Sequence, residues 1–241
     1  MSWFEEFWGI TENLKKQLDA HFSLNLESST HDLANFSSND GNCNGSLTAY
    51  TGNQVERLVH GYIRKSQSPS YSTMRLTTWL KPHIDVPHLA FEFGTRQHFL
   101  FYIDYIPRGD LMTDLDYIQK YYEPVNATYL KLRDEPNLTK FISTSPYIRS
   151  LQSPISLCYV CAPNVDSLEM IRGVAKEMLE RWLKWVDNAQ ILPEKTQPQL
   201  AARDFSIRRS SAELDPGNKF AVQMLGSEMT DKLVRTLWGG A

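Results

Sequence analysis

Nothing in the 241-residue sequence supplies a long hydrophobic run. No segment approaches the roughly 20 apolar residues of a membrane-spanning helix. Positive charge is scarce as well: 25 Lys and Arg against 28 Asp and Glu leave a formal charge of −3, which argues against a nucleic-acid binder and its basic stripe. Cysteine is limited to three residues, an odd number that makes no disulfide framework. The start, Met1 to Glu6, lacks the basic and apolar regions of a signal peptide, and it is not the Arg/Ser-rich start of a transit peptide. A reducing cytoplasm is the expected location. Also missing are Gly-x-Gly-x-x-Gly, a Walker sequence and a Gly-x-Ser-x-Gly elbow, the signatures of bound nucleotides and of a serine nucleophile. An enzyme with none of them must draw on its substrate's own chemistry.

Bulky filling is what the chain has instead, with 11 Phe, 11 Tyr and 6 Trp. Ser2 and Glu5 form a capping box, followed by Trp3, Phe7, Ile10, Leu14 and Leu18 at helical spacing, so an amphipathic helix is predicted up to residue 22. The segment 27–45 is rich in Ser, Asn, Asp and Gly and reads as a long mobile loop. One helix cannot make a core alone, so residues 1–241 are expected to form one domain, with sheet and covering helices over 46–241. Strands are predicted at 47–51, 55–64, 71–80, 88–93, 98–106 and 155–161. Residues 93–98 look like a hairpin connection, which makes the sheet at least partly antiparallel. A short helix is predicted at 113–123, ended by Pro124, and a longer one from Asp166 with Glu169 three residues on. Gly226 should separate two terminal helices. Helices at both ends of a block of strands suggest an α/β protein whose sheet is covered on both faces.

The strand from Pro87 to Phe93 is the most informative segment. Side chains alternate along a strand, so Leu89, Phe91 and Phe93 share a core face while His88, Ala90 and Glu92 share the other. That second face suits either a ligand cavity or plain solvent exposure. A metal held by His88 and Glu92 is not expected, because their Cβ atoms lie ~13 Å apart at the usual rise per residue. Cys158 and Cys161 point to opposite faces of a strand, which speaks against both a redox and a zinc site, so they are read as packing residues. From Arg203 to Arg209 an acid, Asp204, sits among three arginines; this is either a solvated helix face or an anion site.

Several segments resemble the red chlorophyll catabolite reductase family, relatives of the ferredoxin-dependent bilin reductases. They are Ile103-Asp-Tyr-Ile-Pro-Arg-Gly-Asp-Leu111, Asp116-Tyr-Ile-Gln-Lys-Tyr-Tyr122, Arg149-Ser-Leu-Gln-Ser-Pro154 and Arg203-Asp-Phe-Ser-Ile-Arg-Arg209. The similarity runs from about Gly45 to the C-terminus. It implies a three-layer α/β/α sandwich with a central antiparallel sheet, a linear tetrapyrrole pocket between sheet and C-terminal helices, and a homodimer. It also implies catalysis without a bound cofactor: reduced ferredoxin supplies electrons, and pocket acids supply protons. The family's two acidic positions fall on Glu92 and Asp204, as opposite walls of one pocket. His88, Ala90, Gln152, Arg203, Arg208 and Arg209 complete the expected substrate-binding set. His88 stands where plant members carry Asn, and Gln152 where an apolar side chain is typical. The start of the chain points to a bacterial, cyanobacterial-type member.

The resulting expectation is a reductase of a linear tetrapyrrole, foremost red chlorophyll catabolite. A biliverdin-type bilin substrate and a non-catalytic tetrapyrrole carrier are the alternatives. Glu92, flanked by Phe91 and Phe93, is the expected proton donor, because an acid donates at neutral pH where burial disfavours its ionised form. Ferredoxins are acidic, so a basic docking rim is expected from Lys81, Arg96, Arg108 and Arg149.

Overall fold

The computed structural model describes residues 2–65, 67 and 70–239. Helix α1 (Trp3–Phe22) begins at the capping box, with the Ser2 amide donating to Glu5 Oε2 at 3.0 Å and Ser2 Oγ accepting from the Glu5 amide at 3.4 Å. Its stripe of Phe7, Ile10, Leu14 and Leu18 is buried. Strands β1 (Asn25–Leu26), β2 (Phe36–Ser37), β3 (Cys43–Thr51), β4 (Val55–Lys65), β5 (Tyr71–Leu80), β6 (His88–Thr95) and β7 (Phe99–Ile106) follow. Then come α2 (Leu115–Tyr121), α3 (Asn126–Arg133), β8 (Leu138–Lys140), α4 (Pro146–Leu151), β9 (Leu157–Cys161) and α5 (Val165–Asp187). Helices α6 (Gln197–Leu214), α7 (Gly217–Leu225) and α8 (Ser227–Trp238) close the chain. The strands form one antiparallel sheet in the order β1-β3-β4-β5-β6-β7-β9-β8, with β2 also paired to β3.

Each face of the sheet carries a helical layer, giving the expected α/β/α sandwich. The first layer, α1 with α5 and α2, packs on Leu58, Met74, Leu76, Leu89, Phe91, Phe93 and Phe101 in one large core cluster. Fully burying a Phe or Leu side chain contributes on the order of 1.5–3 kcal/mol, so this layer dominates the stability. The second layer, α6 to α8, meets the opposite face through two smaller clusters. One joins Leu33, Leu47, Ala49 and Val59 to Leu225 and Leu233, and the other joins Trp79, Ala90 and Ile106 to Ile207. A cavity lies where the two clusters do not meet.

The segment 27–45 differs from the mobile loop its composition suggested. Residues Ser28–Leu33 form a 3-10 helix and Phe36–Ser37 pair with β3. Thr30, Leu33, Phe36 and Cys43 are buried, and the Phe36 ring lies against Gly45, where any Cβ would collide with it. A few inward-facing residues thus organise a stretch whose other side chains are mostly polar. Helices α3 and α4 are further differences: Pro124 ends one helix but stands within the 3-10 turn that leads into α3. Helix α5 is capped by Asn164, whose Oδ1 accepts from the Ser167 amide at 2.8 Å, rather than by Asp166. Gly226 separates α7 from α8 with φ 81°, a conformation that favours glycine. Among the described residues no helix is long and apolar enough to cross a membrane.

Candidate active site

Alternation along three neighbouring strands builds the floor of the cavity. Arg75, Thr77 and Trp79 of β5, Ala90 and Glu92 of β6, and Leu100, Tyr102 and Ile106 of β7 face it, with Cys158 of β9 beside them. Ile148, Leu151 and Gln152 at α4 form one wall, and Ile207 and Ser211 of α6 form another. The volume is about 320 Å³, and a second cavity of about 200 Å³ adjoins it between β4, β5 and α7. Arg75, Glu92, Asp215 and Gly217 border both. Together they make a long, mostly apolar groove with an ion pair near its middle, in the size range of pockets for sizeable organic ligands.

Glu92 accepts from Arg75 Nη2 at 2.6 Å and from Thr73 Oγ1 at 3.5 Å. Its side chain is 31% exposed. The apolar enclosure expected from Phe91 and Phe93 is therefore absent: strand alternation sends both rings to the opposite face of the sheet.

Asp204 is buried, but it is not a cavity wall. Its carboxylate takes a bidentate contact from Arg108, Nε to Oδ1 at 3.3 Å and Nη2 to Oδ2 at 2.6 Å. His88 Nε2 lies 3.0 Å from Oδ1. Burial works to raise the Asp204 pKa, yet His88 and Arg108 hold it below the usual carboxylate range. His88 Nδ1 accepts from the Leu80 amide at 3.0 Å, which leaves its ring proton on Nε2, the nitrogen nearer Asp204. Burial, with Arg108 adding to it, pushes His88 down to about 4, so the ring is neutral at pH 7. His88 packs on Trp79 at 4.6 Å between centroids and stands on the cavity side of β6 beyond the end of the ligand space, under α6, rather than lining it.

Arg108 corrects another expectation. It is not part of an exposed rim: its side chain has no solvent exposure. Nη1 donates to Ile84 O at 2.7 Å, with longer contacts to Lys81 O and Val86 O. The residue plugs the 81–86 turn and fastens it to α6. Lys81 and Arg96 cannot form one rim either, because they stand at opposite ends of the sheet, separated by the length of β6. Arg149, exposed on α4, remains beside the cavity mouth, with Nη1 donating to Ser143 O at 2.7 Å. The three arginines around Asp204 do not line the cavity. Arg203 and Arg209 are exposed, on Gly109 O and Glu213 respectively, the latter an intrahelical ion pair. Arg208 is half-buried and packs near Gly239.

Asp104 is a further acid at the cavity, not among the candidates that the sequence suggests. It sits on the cavity side of β7 with no solvent exposure, covered by Ser153. Tyr102 Oη donates to its Oδ2 at 3.0 Å, the Ser153 amide to Oδ2 at 2.9 Å and Ser153 Oγ to Oδ1 at 2.5 Å. Burial pushes the Asp104 carboxyl up to about 6, against the lowering effect of the Ser153 and Tyr102 hydrogen bonds. A carboxylate inside the aromatic run 99–106 was the available signal. Cys158 and Cys161 take opposite faces, at the cavity and in the main core, and burial pushes the Cys158 thiol up to about 12.

A family model described as red chlorophyll catabolite reductase (RCC reductase) matches residues 9–238. The chain is 26% identical to the chloroplastic red chlorophyll catabolite reductase of Arabidopsis thaliana, over 86% of this chain and 70% of that protein. It is 26% identical to red chlorophyll catabolite reductase 1 of Oryza sativa subsp. japonica, over 84% and 67%. The fold is similar to that of phytochromobilin synthase from tomato, solved in complex with biliverdin. The TM-score is 0.85 at 17% sequence identity, covering 95% of this chain and 81% of that one.

Proposed function

Because the chain belongs to the red chlorophyll catabolite reductase family, it is an oxidoreductase of linear tetrapyrroles, and we propose that the groove between the sheet and α6–α7 is where the pigment is reduced. The observation that carries this reading is the ionisable pair Arg75–Glu92 in the floor of an otherwise apolar groove. A flat conjugated pigment would lie along the groove, its carboxylates drawn to Arg75 and its rings to Trp79, Tyr102 and Ile207. Two electrons and two protons saturate one double bond of the chain. The protein itself supplies no redox group in this reading: reduced ferredoxin delivers the electrons singly, meeting the α4 rim near Arg149. Glu92 supplies a proton, and Asp204 acts indirectly by fixing α6.

Red chlorophyll catabolite is the substrate favoured by family membership. The test is anaerobic incubation with reduced ferredoxin and either that pigment or biliverdin, followed by absorption spectra. Bleaching of red chlorophyll catabolite in preference to biliverdin is expected. Binding of both pigments with reduction of neither would turn the protein into a carrier and overturn the reading.

Gln152 places an amide on the cavity wall, where it can bond to one edge of the pigment. Gln152→Phe should therefore alter the ratio of product isomers or the substrate preference, with stability changed by less than ~1.5 kcal/mol for a partly exposed wall position. An unaltered product profile on chromatography would place Gln152 outside the contact surface.

A further inference from the structure

We propose that Tyr102 is a second proton donor to the pigment and that Asp104, buried behind it, is the acid that recharges it. The proposal rests on the reading of the groove as the site of tetrapyrrole reduction.

Two reduction steps need two protons, and Glu92 holds at most one. Tyr102 stands directly opposite Glu92 in the β6–β7 ladder and faces the same cavity. Its hydroxyl therefore reaches the same side of a pigment lying on the floor. Behind it, Asp104 is screened from solvent and receives three hydrogen bonds, from Tyr102 and from both donors of Ser153. An arrangement of this kind on a core-facing residue would be ordinary packing. Here it connects a cavity-lining phenol to a buried carboxyl in a single 3.0 Å step.

A carboxyl and a phenol joined by one hydrogen bond can exchange roles. With Asp104 ionised, Tyr102 donates to it. Once Asp104 is protonated, its hydroxyl donates to the Tyr102 oxygen, and the phenolic hydrogen turns towards the cavity. After an electron from the external one-electron reductant enters the pigment, the pigment radical anion takes that hydrogen as a proton. The Tyr102 O–H bond breaks, the Asp104 O–H bond breaks as its proton passes to the Tyr102 oxygen, and a new bond to hydrogen forms on the pigment. Asp104 is left as a carboxylate held by Ser153. Its proton returns by the same path when the product leaves and water re-enters.

The surroundings suit that step. Burial pushes the Asp104 carboxyl up to about 6, the direction that favours its protonated form. Tyr102 and Tyr105 on the same strand, Tyr122 after α2 and Cys158 on β9 all interact with Asp104, and burial raises each of them, which keeps them neutral. Glu92 with its partner Arg75 is the charged pair on the neighbouring strands. The Arg108–Asp204–His88 cluster bounds the other end of the floor.

Because the protonated form of Asp104 is the active one, its contribution falls as pH rises through about 6. The Ser153 hydroxyl bond lowers that value, so Ser153→Ala should move the falling limb of the turnover profile to higher pH. Tyr102→Phe keeps the ring and removes the transferable hydrogen. It should bind red chlorophyll catabolite with affinity within about twofold of wild type, while turnover drops by ~10²-fold, the lower range for losing a general acid. A one-electron-reduced pigment should then persist, visible by electron paramagnetic resonance. Asp104→Asn should reproduce this effect; should it fail to fold, Ser153→Ala and Tyr102→Phe still decide the matter. Wild-type turnover and an unmoved pH profile in both of those variants would overturn the relay alone. A wild-type protein that binds the pigment and never reduces it would overturn the parent reading and the relay with it.

Discussion

Glu92→Gln is expected to bind pigment, accept one electron and stall, with turnover lower by ~10²-fold or more, the usual scale for losing a general acid. The substitution keeps the length and the hydrogen-bonding oxygen that faces Arg75, so the groove should retain its shape. A partly exposed ion pair such as Arg75–Glu92 contributes up to about 1 kcal/mol. The variant should therefore unfold close to the wild-type denaturant midpoint, and its loss of rate should report on chemistry. For Glu92 to donate, its carboxyl must turn from Arg75 to the pigment. Pigment carboxylates drawn to Arg75 would take the place of Glu92 on the guanidinium and free it to do so. Stopped reduction with a long-lived radical supports this order of events. Wild-type turnover would remove Glu92 as a donor, and a stalled Tyr102→Phe measured beside it would then assign the protons to the Tyr102–Asp104 side.

The second large effect is on stability. Arg108→Ala should lower the unfolding free energy by about 3–5 kcal/mol, the range for breaking a buried ion pair by removing one partner. The loss is large because Asp204 would keep its charge in a buried place, and the carbonyl of Ile84 would lose its 2.7 Å donor. Arg108→Lys should recover only part of it, since a single ammonium cannot reproduce the planar fork that meets both carboxylate oxygens. Asp204→Asn should weaken pigment binding and turnover together, by loosening α6 and the Ile207 and Ser211 wall that it carries. Urea denaturation measures the first pair of variants. A change below 1 kcal/mol for Arg108→Ala would show that the turn holds without its plug.

Period-two alternation made much of the floor legible in advance. Ala90 and Glu92 face the cavity, and Leu89, Phe91 and Phe93 face the core, because each strand sorts its side chains by parity alone. Long-range partners were not legible. Arg108 was expected on a basic docking rim, but its fate depends on Asp204, ninety-six positions away. The same applies to Asp104, which requires Ser153 to cover it. The resemblance pointed to Asp204 as an acid of the pocket; the structure adds that its charge is already committed to Arg108 and His88. In the segment 27–45, the mean composition concealed the few residues that face inward.

The unequal layers on the two faces of the sheet have a consequence for exchange with solvent. Helices α1 and α5 share the large continuous core, whereas α6 to α8 rest on two small clusters with the groove between them. Local opening costs least where few apolar contacts must be broken. Backbone amides of α6 to α8 should thus exchange with deuterium sooner than those of α1 and α5, and a bound pigment, by bridging the two small clusters, should slow them selectively. Uniform protection across both layers would mean that the cover is as firmly seated as the core. On that reading a pigment would enter, and a product leave, most readily at α6 and α7, whose displacement from the sheet breaks the fewest apolar contacts.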